Sequence, residues 1–321
     1  FVGDNFYYAF PNLYSIRGTT PRDPKLWIQS LDKFMTFNSE YLVGSHTLPI
    51  AGWSNIQNEL QLYRDVIAFV HDQTVRYMQK RYRVNEIVIK IEESLPDILK
   101  DGRKQQFYGT VEWSVRSIYD MYLGYFQGDS AELYPSNFYD RGYGLLRVMK
   151  QLYGDTGDED AMIDFLVTYL DGLIDAAQEN RDDTKYTQVA LNEERWILEM
   201  VTSLLTYYDA DNQCESWLKL SNLRWKILQN FAGFSISANG RNYFISQYLE
   251  ERFDINQEDV AFDTVSNDIS IDWVLEALRF RIKPEAFLLD GDFAIEYVTN
   301  LKFKDSGLMY QLKIRNGGVF T

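Results

Sequence analysis

Asp4 and His46 are the residues best suited to chemistry in this chain. His46, one of only two histidines, closes the apolar run that starts at Tyr41. A strand that ends on a histidine and breaks at Pro49 and Gly52 hands an imidazole to a loop, where buried strands commonly build sites. Asp4 has the same setting, with Phe1 to Gly3 reading as the tail of a buried strand and Asn5 opening a loop. A carboxylate and an imidazole suit a hard-to-borderline metal such as zinc, but a catalytic zinc takes three protein ligands plus water. Two uses are therefore open to His46: structural hydrogen bonding, which is the commoner fate of such a histidine, and metal ligation. Arg17 and Arg22 follow Asp4 closely in a chain with 47 acidic and 32 basic side chains. A planar guanidinium can grip anionic oxygens in bidentate fashion, whereas its ordinary use is salt bridging, here with Asp23 or another carboxylate. The second histidine, His71, lies next to Asp72 beside an apolar helix face and reads as a packed residue that hydrogen-bonds to fix that helix.

The elements that must position these residues are mostly helical. Pro24 suits the first turn of a helix with Trp27, Ile28, Leu31, Phe34 and Met35 on one side. A strand over 41–46 follows. Ser54 to Gln57 is a capping-box pattern, and Ile56, Leu60, Tyr63, Ile67, Val70, Thr74 and Tyr77 then recur at steps of four and three, one helical face. A shorter helix pair is expected over 84–100. Val111, Val115, Ile118, Tyr122 and Tyr125 repeat the same spacing. A turn-rich interval holding Gly128, Pro135, Gly142 and Gly144 precedes helices near 145–153, 158–179, 188–208 and 213–231, of which the last three resemble antiparallel hairpins. From about residue 260 the pattern changes: after a helix near 271–278, Phe293, Ile295 and Tyr297, then Tyr310, Leu312 and Ile314, alternate as in strands.

Composition narrows the classes. The chain has 321 residues, 45% of them hydrophobic, 25% charged and 16% aromatic, which describes a folded chain of two or three domains. A net charge of −15 argues against a nucleic-acid partner, which would need clustered Lys and Arg. No apolar run reaches the length of a membrane span. Cys214 is the single cysteine, so neither an intrachain disulfide nor a cysteine zinc site is possible, and it reads as a buried bystander. No Asn-x-Ser/Thr sequon occurs, which argues against a glycosylated secreted product. The chain opens on Phe1, not Met, so the natural start is expected to lie elsewhere and no targeting signal can be read.

Several unusual motifs in order carry a resemblance: Gly3-Asp4-Asn5, Phe10-Pro11-Asn12, Arg17-Gly18, Arg22-Asp23, Ser45-His46, Tyr63-Arg64-Asp65, His71 to Val75, Tyr108-Gly109-Thr110, Tyr122 to Gly128 and Arg241 to Phe244. Together they resemble the alkyl sulfatases of the metallo-β-lactamase superfamily, along essentially the whole chain. The resemblance implies hydrolysis of alkyl sulfate esters at a centre of two zinc ions, with Asp4 bridging both and His46 binding one. Part of the family has Glu where Asp4 stands. It also implies that Asn12, Arg17 and Arg22 line a sulfate pocket and that Tyr119 reaches it. The family's His-x-His-x-Asp-His motif and a further acidic ligand are absent here, so an upstream segment, or a separate N-terminal fragment, is expected to complete the centre.

The expected fold is mainly α with α+β. Residues 1–53 would be the remnant of a metallo-β-lactamase-like αββα domain, 54–255 a helical dimerisation domain, and 256–321 a small, incomplete, sterol-carrier-like α+β domain. A homodimer acting on an alkyl sulfate or similar amphiphile follows. The alternative is a non-catalytic relative serving as a structural or lipid-binding dimer.

Overall fold

The computed structural model describes residues 1–100, 105–153, 158–179, 184–208, 214–253, 297–304, 306–315 and 318–320, together with Ile271 and Leu275. The chain forms two compact units, 1–255 and 256–321.

In the first unit, α1 (Pro24–Phe34) starts where Asp23 caps it, the carboxylate accepting from Lys25 N at 2.8 Å and Leu26 N at 3.3 Å, with Pro24 in the first turn. It buries Trp27 and Leu31. The strand expected over 41–46 is shorter. Only β1 (Tyr41–Leu42) pairs, antiparallel to β2 (Ile50–Ala51), and beyond it a single parallel bridge joins Gly44 to Gly3. The chain turns aside at Gly44 because it passes so near residues 3–6 that a Cβ there would lie 3.1 Å from the Phe6 carbonyl oxygen. The buried strand expected at the start is likewise reduced to this bridge, and Phe1 is fully exposed.

Helix α2 (Trp53–Gln79) begins one residue ahead of the expected capping box. Gly52, at φ +87°, takes the cap position without a side-chain bond, which places Ser54 inside the first turn. The predicted face is buried from Ile56 through Leu60, Tyr63, Ile67, Val70 and Thr74, widened by Val66 and His71, while Tyr77 at its end is half-buried. Each fully buried aliphatic side chain of this kind contributes ~1.5–3 kcal/mol. Against it pack α3 (Val84–Ser94), α4 (Asp97–Lys100) and α5 (Val111–Leu123), the last capped by the Thr110 hydroxyl accepting from Trp113 N at 3.1 Å. Residues 6 to 119 thus share one core.

A second core lies among α6 (Phe138–Tyr153), α7 (Glu159–Glu179), α8 (Thr184–Tyr208) and α9 (Glu215–Phe234), built from Leu146, Ile163, Ile197, Leu204, Leu220 and Ile227 among others. Helix α6 starts earlier than its expected position, and Gly142 and Gly144, expected in turns, sit within it. Gly142 is where α6 meets α8: a Cβ there would stand 2.1 Å from the Ser203 carbonyl oxygen. Gly142→Ala is therefore expected to destabilise the chain by ~1–3 kcal/mol or to push the two helices apart, read as a lowered urea midpoint. Cys214, expected to be buried, is exposed and caps α9, its sulfur accepting from Trp217 N at 3.4 Å. The thiol serves there as a local acceptor for an otherwise free helix-end amide.

The last helix of the unit, α10 (Ala238–Phe253), follows a turn that ties the two cores together. Ser237 donates from Oγ to the Tyr108 carbonyl at 2.7 Å, and Ala238 N donates to the Phe107 carbonyl at 2.8 Å. The 105–110 segment is thereby held from one side.

In the second unit, β3 (Tyr297–Lys302), β4 (Met309–Arg315) and β5 (Gly318–Phe320) form an antiparallel meander, with Gly307 at φ +72° in the first turn. The alternating Tyr310, Leu312 and Ile314 lie on β4. The expected helix near 271–278, apart from Ile271 and Leu275, and the alternation at Phe293 and Ile295 fall outside the described residues. Among the described residues, no helix is long and apolar enough to cross a membrane.

Candidate active site

The loop from Asn5 to Arg22 is held by its own aromatic residues. Phe6, Phe10 and Leu13 are buried, and the Phe6 and Trp27 rings lie 5.2 Å and 6.0 Å from that of Tyr63 on α2. The Trp27 indole N–H donates to the Asn5 carbonyl at 2.8 Å, which fixes the start of the loop on α1. From the other side, Phe10 N donates to the Gln105 carbonyl at 3.0 Å, and Gly109 fits so close that a Cβ would stand 2.4 Å from the Pro11 carbonyl oxygen.

On this frame Asp4 and His46 meet. Ser45 N donates to the Gly3 carbonyl at 3.2 Å and Val2 N to the Val43 carbonyl at 2.9 Å, so the two segments run side by side just before each functional residue. Asp4 Oδ1 and His46 Nε2 lie 3.2 Å apart, and both side chains are largely exposed. A carboxylate and an imidazole at that spacing are a donor pair fit for a divalent metal. Among the described residues no group of three or more His, Cys, Asp or Glu could hold one, so the pair would need further ligands.

Asn12 stands out by its burial. It is 7% exposed, and among the described residues neither its amide nitrogen nor its amide oxygen has a hydrogen-bond partner. Leaving such a group unsatisfied costs ~1–3 kcal/mol, and it marks a place where an unseen partner is expected. The Thr47 hydroxyl, next to His46, is also buried and has no hydrogen-bond partner among the described residues. Arg22 Nη1 donates to the Asn12 carbonyl at 3.0 Å, and its guanidinium lies 5.8 Å from the centre of the Trp27 ring. Arg17 Nε donates weakly to Ser15 Oγ at 3.4 Å. Among the described residues, neither arginine forms an ion pair with a carboxylate, the ordinary use weighed for them above.

Tyr63, read from the sequence only as part of a helix face, is the buried base of this region. Burial pushes its phenol pKa far up, the Arg22 charge opposes that shift, and Tyr7 and Asp4 add to it. Asp4 and Arg22 therefore act on the same buried ring. Tyr119 is placed differently. It is buried on α5, its pKa is raised by burial and then by the Glu132 charge, and among the described residues no hydrogen bond or ring contact joins it to Asn12, Arg17 or Arg22.

His71 is buried as expected, with Nδ1 2.7 Å from Asp72 Oδ1 and Nε2 2.9 Å from the Tyr122 hydroxyl on α5. Lys25 lies 5.4 Å from the centre of the same tyrosine ring, which links α1, α2 and α5. Tyr122→Phe would leave a buried imidazole nitrogen unpaired. It is expected to cost ~1–3 kcal/mol of stability, seen as a lower unfolding midpoint.

Comparison with known proteins places these residues in context. Residues 83–153 match the family model for alkyl sulfatase dimerisation. A linear primary-alkylsulfatase from a Pseudomonas strain is 40% identical over 143 residues, covering 44% of this chain and 27% of that protein. Another linear primary-alkylsulfatase from Pseudomonas is 25% identical over 319 residues, which is 97% of this chain and 41% of that protein. Among solved structures, the stereoselective inverting sec-alkylsulfatase Pisa1 from Pseudomonas superposes with a TM-score of 0.78 at 20% identity, covering 99% of this chain and 45% of that one. This last likeness concerns the fold. The chain spans less than half the length of each of these relatives.

Proposed function

Because this chain is related to the alkyl sulfatases, we propose that it is the part of a zinc-dependent hydrolase that binds the sulfate group of an alkyl sulfate ester and contributes two ligands to a centre of two zinc ions. Residues 1–53 act as part of a metallo-β-lactamase-like domain, 54–255 as a helical dimerisation domain, and 256–321 as a sterol-carrier-like domain. The observation that carries the reading is the meeting of Asp4 and His46 at 3.2 Å on a loop that also holds the buried, unpartnered amide of Asn12.

In this reading Asp4 and His46 hold metal together with ligands from outside these residues. Zinc, when bound, supplies Lewis acidity and draws the pKa of water towards ~7. The work of the chain itself is binding. The Asn12 amide donates to a sulfate oxygen, Arg17 supplies a charge-assisted bond to another, and Arg22, tethered to the Asn12 carbonyl, keeps that loop in place while adding positive charge. Such hydrogen bonds to a charged sulfate are each worth ~1.5–3 kcal/mol. The buried Phe6, Trp27 and Tyr63 rings beneath the loop keep water from its underside.

Arg17→Ala in the intact protein is accordingly expected to raise KM for a linear alkyl sulfate ~10- to 100-fold, while zinc content stays the same. An unchanged KM would remove Arg17 from the sulfate pocket.

A further inference from the structure

The turn between α2 and α3 gathers positive charge in an otherwise acidic chain. Residues 76–90 hold Arg76, Lys80, Arg81, Arg83 and Lys90 against the single acid Glu86, while the whole chain stands at −15. Elsewhere many cations are engaged within the fold: Arg64, Arg116, Lys219, Arg224 and Lys226 each meet a carboxylate. At the turn Arg83 does so, with Asp129. Among the described residues, Arg76, Lys80, Arg81 and Lys90 form no ion pair. The nearby acid is occupied at a helix end, where the Glu86 carboxylate accepts from Arg83 N at 2.8 Å.

Aromatic rings hold these cations instead. Tyr77 and Tyr82 meet edge to face, with ring centres 5.6 Å apart. Lys90 Nζ lies 4.7 Å from the centre of the Tyr82 ring and 6.0 Å from that of Tyr77, and Lys80 Nζ and the Arg76 guanidinium stand 5.9 Å and 5.3 Å from the centre of Tyr77. Three like charges are thus gathered round two rings, an arrangement that an anion would relieve. The backbone adds a fourth. Lys80 is the C-cap of α2 and Arg81 follows at φ +64°, the position where a helix usually ends on glycine. Among the described residues Arg81 is the one non-glycine with a positive φ. Arg76, Lys80 and Arg81 are all exposed.

The chemistry of this face selects its partner. Four cations free of carboxylates attract an anionic surface. Tyrosine rings and an exposed aliphatic side chain, here Ile89 at 55% exposure next to Lys90, suit the boundary between headgroups and acyl chains. A long polyanion such as nucleic acid would run from the patch onto the acidic remainder and be repelled there. A lipid surface meets only the face turned towards it.

We propose that the α2–α3 turn, through Arg76, Lys80, Arg81 and Lys90, docks the protein on a membrane surface of anionic lipid headgroups. This goes beyond the sulfatase reading, which gives the turn no role.

Cosedimentation of the intact protein with vesicles tests it. Binding is expected to vesicles of phosphatidylcholine mixed with phosphatidylglycerol and not to phosphatidylcholine alone, and it is expected to weaken as sodium chloride is raised. The double variant Lys80→Gln, Arg81→Gly removes two charges and puts glycine at the positive-φ position, so its far-UV circular dichroism is expected to be unchanged. Its partition onto the mixed vesicles is expected to fall ~10- to 100-fold. Sodium sulfate is expected to release no more protein than sodium chloride of equal ionic strength. No binding to the mixed vesicles, equal binding to phosphatidylcholine alone, an unchanged partition of the double variant, release specific to sulfate, or tighter binding to duplex DNA at matched phosphate concentration would overturn the proposal.

Discussion

His46→Ala in the intact protein is expected to remove one metal ion per chain and to lower the rate of sulfate release by at least ~100-fold. The imidazole faces Asp4 across 3.2 Å from an exposed position, so its loss costs no core packing. A variant with an unchanged unfolding midpoint, reduced zinc and little turnover is the expected combination. The other histidine supplies the control. His71 is buried between Asp72 and Tyr122, and His71→Ala is expected to lower stability while leaving the metal content of the folded fraction intact. If His46→Ala spared the metal or retained normal turnover, His46 would not be a ligand and the zinc reading of this loop would fail.

The second large effect is expected at Gly109. A Cβ there would stand 2.4 Å from the Pro11 carbonyl oxygen, 2.7 Å from Asn12 Cα and 2.8 Å from the Pro11 carbonyl carbon. All three are backbone atoms, so no side-chain rotation can relieve the contact. The 105–110 segment cannot easily retreat either, because Tyr108 and Phe107 accept hydrogen bonds from Ser237 and Ala238 on its far side. Gly109→Ala must therefore move the Pro11–Asn12 peptide, at ~1–3 kcal/mol or more. The expected result is a lower urea midpoint together with a KM for alkyl sulfate raised by a similar factor to that of Arg17→Ala, since the displaced residue is the one whose amide awaits a partner. A stability loss with KM unchanged would separate the loop's packing from substrate binding.

Periodic signals were legible only as far as the helix ran: the stripe expected from Val111 to Tyr125 is buried through Ile118, but α5 ends at Leu123 and Tyr125 is exposed beyond it. The four-three spacing from Ile56 to Thr74 gave the buried face of α2, because burial of one helical stripe is what that spacing records. His71 was readable for the same reason, since it falls beside that stripe with an acid next to it. Local turn signals were less dependable. Gly142 and Gly144 mark a break when read alone, yet Gly142 sits in a helix because α8 presses on it, and no residue near it in sequence reports that neighbour. The capping box at Ser54 lost to Gly52, whose positive φ comes from the direction in which the chain leaves β2.

The candidate site divides along the same line. Asp4 and His46, more than forty residues apart, could be named from their residue types and the ends of apolar runs, and the structure puts them side by side. Asn12 came only from the family resemblance, since nothing local distinguishes a buried, unpartnered amide from an ordinary loop asparagine. Tyr63 was hidden because a tyrosine on a helical stripe looks like any other core residue. Tyr119, named from the resemblance, is buried, feels the charge of Glu132, and among the described residues has no hydrogen bond or ring contact to Asn12, Arg17 or Arg22.

The most direct measurement is sulfate release from a linear alkyl sulfate by the intact protein, followed through removal and return of zinc. The account predicts about two zinc ions per chain, release of inorganic sulfate that stops when a chelator strips the metal, and recovery on adding zinc back. Fully metallated, folded protein that released no more sulfate than its His46→Ala variant would contradict it.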